Sequence, residues 1–368
     1  MKILHIITGL NIGGTETILY NLVSSQKENY PMVVSLTSLG DLGQELIDQG
    51  VSVITLELKI YNLPLVICKL HKLISQYKPT VVQTWLYHSD LIGGISAKLA
   101  GVRFIVWGIR TTELKKGSYL TTIIRKILAF LSYWIPTKII LNAERAREKH
   151  SKLGYDVSKM EVIPNGFDVQ NLKIKSELVL DFRNTLSIRD NDFIIGCVGR
   201  LSQVKGQDNF IKSAGIILQS FPNTKFLMVG RGLVIENQEI ISLIEENGKL
   251  ENFILLGERS DVPVCLKVMD IFCMPSRSEG FPNSLGEAML SSVPCVSTDA
   301  GDASILGGTD VPIARVDDPK DLAAKLMEMM NTSQEERQLI GQRLSQRIID
   351  EYPLDIMIKR FSDFYETL

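Results

Sequence analysis

The chain has 368 residues, 45% hydrophobic and 22% charged, which describes a globular protein long enough for two domains of ordinary size. Its net charge of -2 hides an asymmetry: residues 1–170 carry 19 Lys and Arg against 13 Asp and Glu, and the remainder 21 against 29. The acidic second half argues against nucleic-acid binding, and no apolar run reaches the roughly 18 to 20 residues of a membrane span. Cys68, Cys197, Cys265, Cys273 and Cys295 lie far apart without a C-x-x-C pair, so they read as small buried hydrophobes in a reducing cytosol rather than as a disulfide frame or a zinc site.

The opening MKILHIITGLNIGG lacks a small-residue cleavage site and reads as a first strand, Lys2 to Ile7, entering a glycine loop and a helix from about Thr15. Strand, glycine loop and helix make a Rossmann opening, but Gly9-x-x-x-Gly13-Gly14 is not the dinucleotide fingerprint G-x-G-x-x-G. Gly13 and Gly14 serve either a tight turn or the approach of backbone amides to a diphosphate or an acceptor hydroxyl. Strands and helices then alternate, which predicts a parallel sheet covered on both faces, with ligands at the carboxyl ends of the strands.

Three features of the first half fall at that edge or on the surface. WLYHSD after the strand Val81–Thr84 reads as a loop holding His88 and Asp90, with a helix from Leu91; His88 is either a candidate catalytic or acceptor residue or a plain helix-start residue. Arg110 follows the strand Arg103–Trp107 and could bind an anionic acceptor or phosphate, or pair with Glu113 at the surface. From Leu114 to Ala143 there is no acid, while Lys115, Lys116, Arg125, Lys126 and Lys138 interleave with Tyr119, Phe130, Tyr133 and Trp134. Such a segment suits an anionic membrane surface or a core helix with a basic edge. Asn142 reads as the cap of the next helix, and Pro164-Asn165-Gly166 as a linker. This sets domains at 1–168 and 169–352, with a last helix over 353–368.

In the second half the strand Phe193–Val198 runs into GRLSQVKGQD, where Gly199 frees the turn, Arg200 and Lys205 supply two cations, and a helix begins near Gln207. A diphosphate site is one reading and surface charge the other. The turns Gly230-Arg231-Gly232 and Gly257-Glu258-Arg259 end strands at the same edge and could wall a nucleoside. Then comes PSRSEGFPNSLGEAMLSSVPCVSTD, residues 275–299. Ser284 reads as a helix cap whose open end, with the amides of Leu285, Gly286 and Glu287, suits an anion. Ser284-x-x-Glu287 also fits a self-contained capping box, but a cap needs no rigid turn of Pro275, Gly280 and Pro282 with Glu279 inside it. No D-x-D pattern sits in a suitable loop, so no essential metal and no separate cofactor are expected.

The S-E-G-F-P-N-x-x-x-E-A-M run, with WLYHSDLIGG, VIPNGFD, VGRLSQVKG, LLGERSDVP and VPCVSTDAGD, resembles bacterial family 4 retaining glycosyltransferases over almost the whole chain. The resemblance implies the α/β GT-B architecture of two Rossmann-like domains facing across a cleft, with a nucleotide-sugar held mostly by the second. It implies a last helix that crosses back to the first domain. By the same resemblance Arg200 and Lys205 would hold the donor diphosphate with amides near Ser284 and Leu285. Glu287 would take the ribose hydroxyls, and Glu279, Phe281, Pro282 and Asn283 would meet the sugar. Gly257 to Asp261 would follow the base, UDP ahead of GDP, and Gly13 and Gly14 would face the diphosphate or the acceptor. The expected acceptor is a saccharide or lipid-linked saccharide, and the expected location is the cytoplasm, either free or peripheral on the inner face of the membrane. The chain departs from the family pattern where Gln83 and Trp85 replace a His-x-His-like pair and where Arg110 replaces a histidine. A nucleotide-sugar epimerase or hydrolase, or an inactive nucleotide-sugar-binding subunit, is the alternative.

Overall fold

A computed structural model describes residues 1–26, 31–110, 119–170, 174–189 and 191–368. The chain divides into two compact units, Met1–Gly166 with Asp355–Leu368, and Phe167–Leu354. Each is built on a parallel sheet, as near-continuous apolar strands separated by helical segments require.

In the first unit the strands are β1 (Ile3–Ile7), β2 (Met32–Ser35), β3 (Ser52–Thr55), β4 (Val81–Trp85), β5 (Phe104–Ile109), β6 (Lys138–Leu141) and β7 (Met160–Val162), in the order β3-β2-β1-β4-β5-β6-β7. The helices are α1 (Gly14–Ser25), α2 (Gly40–Asp48), α3 (Leu63–Tyr77), α4 (Tyr87–Leu99), α5 (Tyr119–Leu131) and α6 (Glu144–Lys152). β1 and β4 are all but closed to water at every position, because helices cover both faces. The order reverses between β1 and β4, where an open parallel sheet leaves a crevice at its strand ends.

The second unit opens with α7 (Ser176–Thr185). It repeats the plan with β8 (Phe193–Val198), α8 (Gln207–Leu218), β9 (Thr224–Val229), α9 (Gln238–Asn247), β10 (Phe253–Leu255), α10 (Val262–Lys267), β11 (Ile271–Met274) and α11 (Asn283–Leu290). β12 (Cys295–Thr298), α12 (Ala303–Gly307), β13 (Ile313–Ala314), α13 (Pro319–Met330) and α14 (Gln334–Glu351) complete it. The sheet order is β10-β9-β8-β11-β12-β13, so the reversal falls between β8 and β11. The last helix, α15 (Leu354–Glu366), lays Phe361 and Tyr365 on the first unit: Phe361 sits 6.0 Å from the Trp85 ring, and the Tyr365 hydroxyl donates to Gln83.

Several local expectations are corrected. WLYHSD is not a loop: Trp85 ends β4, α4 starts at Tyr87, and the whole reversal is made by Leu86, held at φ 74°. A leucine at positive φ is strained, and strain of this kind is tolerated where the surroundings over-determine the turn. Ala143, not Asn142, is the residue before α6. Among the five cysteines only Cys68 is exposed, and the other four are buried.

Candidate functional site

The loops after β8 and β11 leave the two strands that flank the reversal in the second sheet, and they carry the charged residues singled out in the sequence. Lys205 Nζ donates to Glu279 Oε1 at 2.8 Å and Oε2 at 3.0 Å, and Ser276 Oγ donates to Glu279 Oε1 at 2.6 Å. Glu279 and Lys205 thus hold each other before any ligand arrives. Arg200 is exposed, and its side chain makes no hydrogen bond or ion pair among the described residues. It is a cation available to an incoming anion.

The loop geometry explains the sequence. Gly206 adopts φ 68°, and a Cβ there would run into the Pro275 carbonyl oxygen, so glycine alone lets the two loops touch. Gln207 at the start of α8 donates to the carbonyls of Gly199 at 3.1 Å and Arg200 at 3.0 Å and accepts from the Ser202 amide at 3.3 Å. Arg277 ties the loops from the other side through Asp208, Asp317 and the Gln203 carbonyl. Gln207, Ser276 and Arg277 were not picked out from the sequence. The only signal was their position inside two motifs already chosen, because hydrogen bonds between distant loops leave no periodic trace.

At α11 the helix starts at Asn283, two residues earlier than a Ser284 cap predicts, with Pro282 before it and no side-chain cap. Ser284 is therefore not the N-cap, and the box with Glu287 does not form. The Leu285 and Gly286 amides both donate to the Pro282 carbonyl, at 3.1 and 3.2 Å, which removes them as free anion donors. The Ser284 amide has no backbone acceptor among the described residues. Glu287 is exposed; crowding by protein pushes its carboxyl up, Lys205 pulls it down, and water at the side chain blunts both.

Other candidates settle into supporting roles. Phe281 is buried, 6.1 Å from the Phe167 ring and 5.8 Å from the Tyr352 ring, so its side chain belongs to the core and cannot line a sugar; Pro282 is buried as well. Asn283 and Gly280 remain partly open. Gly230 is a packing glycine, since a Cβ would strike the Gly199 carbonyl and the turns after β8 and β9 are in contact. Arg259 forks onto Asp261 at 2.7 and 2.6 Å and lies over Phe182, so it would have to leave an ion pair to meet a base.

In the first unit Gly13 precedes α1 and Gly14 opens it, but the Glu16 carboxylate lies against Gly13. A carboxylate there opposes a diphosphate and leaves the hydroxyl reading of the loop. His88 is half-buried in the first turn of α4, and burial lowers its pKa, so it is neutral at pH 7. Asp90 is not an acceptor ligand: fully buried, it accepts from Thr84 Oγ1 at 2.6 Å and the Gly108 amide at 3.2 Å, bracketing β4 to β5. Burial pushes its carboxyl up to about 8. Arg110 is buried too, 4.6 Å over Trp85 and 5.6 Å over Phe361, with Nη1 on Asn165 Oδ1 at 3.1 Å. Its Nε and Nη2 have no partner among the described residues. The alternative partner Glu113 lies outside the described residues.

Two family models cover the chain: residues 12–171 match Glycosyltransferase Family 4, and residues 192–332 match Glycosyl transferases group 1. The chain belongs to the family 4 glycosyltransferases. A UDP-Gal:alpha-D-GlcNAc-diphosphoundecaprenol alpha-1,3-galactosyltransferase of Escherichia coli is 29% identical over 62% of this chain and 59% of its own length. An N,N'-diacetylbacillosaminyl-diphospho-undecaprenol alpha-1,3-N-acetylgalactosaminyltransferase of Campylobacter jejuni is 25% identical over 94% of both chains. Among solved structures, Anabaena HepE in complex with UDP and glucose superposes with a TM-score of 0.88 at 20% identity over the full length of both chains. The fold of this family 4 glycosyltransferase is therefore GT-B, two Rossmann-like units in one chain.

Proposed function

We propose that this glycosyltransferase moves a sugar from a UDP-sugar to a lipid-linked saccharide with retention of the anomeric configuration. The observation that carries the reading is the Lys205–Glu279 pair at the strand ends where the second sheet reverses, with Arg200 exposed on the same loop. Arg200, Lys205 and the Ser284 amide are assigned to the leaving diphosphate, Glu279 to the donor sugar and Glu287 to the ribose. The relatives named for undecaprenyl-linked substrates and the UDP-bound neighbour support the substrate class.

In this reading the bond between the anomeric carbon and the diphosphate oxygen breaks, the acceptor oxygen bonds to that carbon from the same face, and the acceptor's proton passes to a diphosphate oxygen. The protein's main work is to stabilise charge growing on the diphosphate, which preset cations and amides do without reorganising. With protein cations in that role, no divalent ion enters the scheme. His88, neutral and half-open, is the acceptor-side candidate.

Thermal shift in the presence of UDP- and GDP-sugars tests the donor assignment. A ligand at 100 times its dissociation constant adds about 2.7 kcal/mol, so UDP-sugars should raise the melting temperature measurably. No shift with either series rejects the reading. Donor consumption without added acceptor would turn it to a hydrolase.

A further inference from the structure

We infer that the loop after β12 is a third wall of the candidate site, and that Thr298 and Gly301 are positioning residues that fix Glu279 for the donor sugar. Both belong to VPCVSTDAGD, residues 293–302, and β12 lies beside β11 in the sheet, which gives them their reach. The inference rests on the reading that assigns Glu279 to that sugar.

The geometry begins where a ladder stops. β11 and β12 pair in parallel as far as Met274 and Ser297. Beyond that point the chain leaves β11 through Pro275, which has no amide hydrogen, and the carbonyls at the strand end are left to find another donor. The Thr298 hydroxyl is that donor: its Oγ1 lies 2.5 Å from the Ser276 carbonyl oxygen and 3.2 Å from that of Met274. Thr298 and Ser276 are both buried, so losing this hydroxyl would leave a carbonyl without a partner rather than hand it to water. Ser276 in turn donates from Oγ to Glu279 Oε1 at 2.6 Å. One hydroxyl on β12 thus holds the backbone of the residue that holds the Glu279 carboxylate.

Gly301 acts on the main chain. It adopts φ 57°, and a Cβ there would lie 2.5 Å from the Gly280 carbonyl oxygen and 2.7 Å from that of Glu279. Those neighbours are backbone atoms with no rotamer to yield, so glycine alone lets the loop after β12 rest on the Glu279 loop. The same loop is tied back to the sheet where the Asp299 amide donates to the Ala314 carbonyl of β13 at 2.9 Å. Glu279 is therefore held by Lys205 and Ser276 at its carboxylate and by Gly301 at its carbonyl. The lysine stem is flexible, whereas a strand end is rigid. Groups set in place before the reaction stabilise its transition state without reorganising, so the β12 loop contributes to turnover though it touches no reacting atom.

The test separates positioning from mere structure by comparing UDP with a UDP-hexose, because UDP lacks the sugar assigned to Glu279. The probe is the UDP-hexose that raises the wild-type melting temperature most, titrated calorimetrically into the full chain. Thr298→Val keeps a branched side chain at the strand end and removes the hydroxyl. It should weaken the UDP-hexose about tenfold relative to UDP and lower kcat by a similar factor. Thr298→Ser keeps the hydroxyl and should hold both within about twofold of wild type. Gly301→Ala should lower kcat at least as far as Thr298→Val, with the UDP-induced thermal shift intact. An unchanged affinity ratio and kcat in Thr298→Val overturns the inference, as does a loss that Thr298→Ser shares in full. Where Thr298→Val does not fold, Gly301→Ala decides by the same two readouts. Absence of any UDP-induced shift in the wild type would instead reject the donor reading itself.

Discussion

Arg277 grips Asp208 with both ends of its guanidinium, Nη1 to Oδ1 and Nη2 to Oδ2, each at 2.7 Å. The same Nη1 donates to the Gln203 carbonyl at 2.7 Å, and the Arg277 amide donates to the Val204 carbonyl at 2.7 Å. Asp208 is the second residue of α8 and Arg277 lies two residues before Glu279, so this fork staples the loop of Lys205 to the loop of Glu279. The pairing itself holds Asp208 below the usual carboxylate range and raises Arg277. A planar fork with these partners cannot be replaced by an ammonium.

Arg277→Lys is therefore expected to lower kcat by about tenfold through misplacement of Lys205 and Glu279. Asp208→Asn should do the same, and the double variant should be little worse than either, because both remove one staple. A double-mutant cycle on kcat/KM, with far-UV circular dichroism as the folding control, checks this. Fully additive losses would show that the two residues act separately.

Lys205→Ala removes a cation from the assigned diphosphate site and strips Glu279 of its bidentate partner. Turnover should fall by roughly 10²-fold, the scale of losing one preset donor to a developing negative charge. Arg200→Ala removes a side chain that supports no other residue, so its loss should appear in turnover and UDP affinity without a change in melting temperature. Near wild-type rates in both variants would reject the assignment.

Asp90 gives a pH dependence with a definite sign. Its folded-state pKa, raised by burial to about 8, lies above the unfolded value of about 3.9, so the folded protein holds a proton that the unfolded chain has lost. Its contribution to stability is complete below about pH 4 and is lost as pH rises toward about 8. Asp90→Asn keeps the acceptor facing Thr84 and Gly108 and removes the titration. Urea midpoints at pH 5 and pH 8 should therefore fall further in the wild type than in the variant. Parallel behaviour of the two would mean that Asp90 is charged in the fold.

The alternation of strands and helices, the parallel sheets and the two charged loops were legible because they are periodic or motif-like. Side-chain direction was not. Arg125 reads as a cation of a basic helix edge, and Arg110 as an anion-binding arginine at the strand edge or a surface partner of Glu113; both are turned inward, because a helix phase or a covering helix decides burial and neither is written in a charge pattern. The helix expected from Leu91 starts four residues earlier because Leu86 takes a backbone angle that leucine rarely adopts. Asp90 reads as an acceptor residue beside His88, yet its partners Thr84 and Gly108 come from two different strands.

The start of α11 offers a last test that separates local pattern from tertiary fact. Ser284 sits inside the helix with no cap bond, whereas Ser333 before α14 accepts from the Glu336 amide at 3.1 Å. Both are followed by an acidic residue three positions on, so a sequence rule treats them alike. Ser333→Ala should cost about 1 kcal/mol, the ordinary value of a lost N-cap, and lower the melting temperature accordingly. Ser284→Ala should leave it unchanged, because no helix amide depends on that hydroxyl. A comparable loss at Ser284 would show that α11 begins two residues later, at Leu285, and that the Leu285 amide is free for an anion after all.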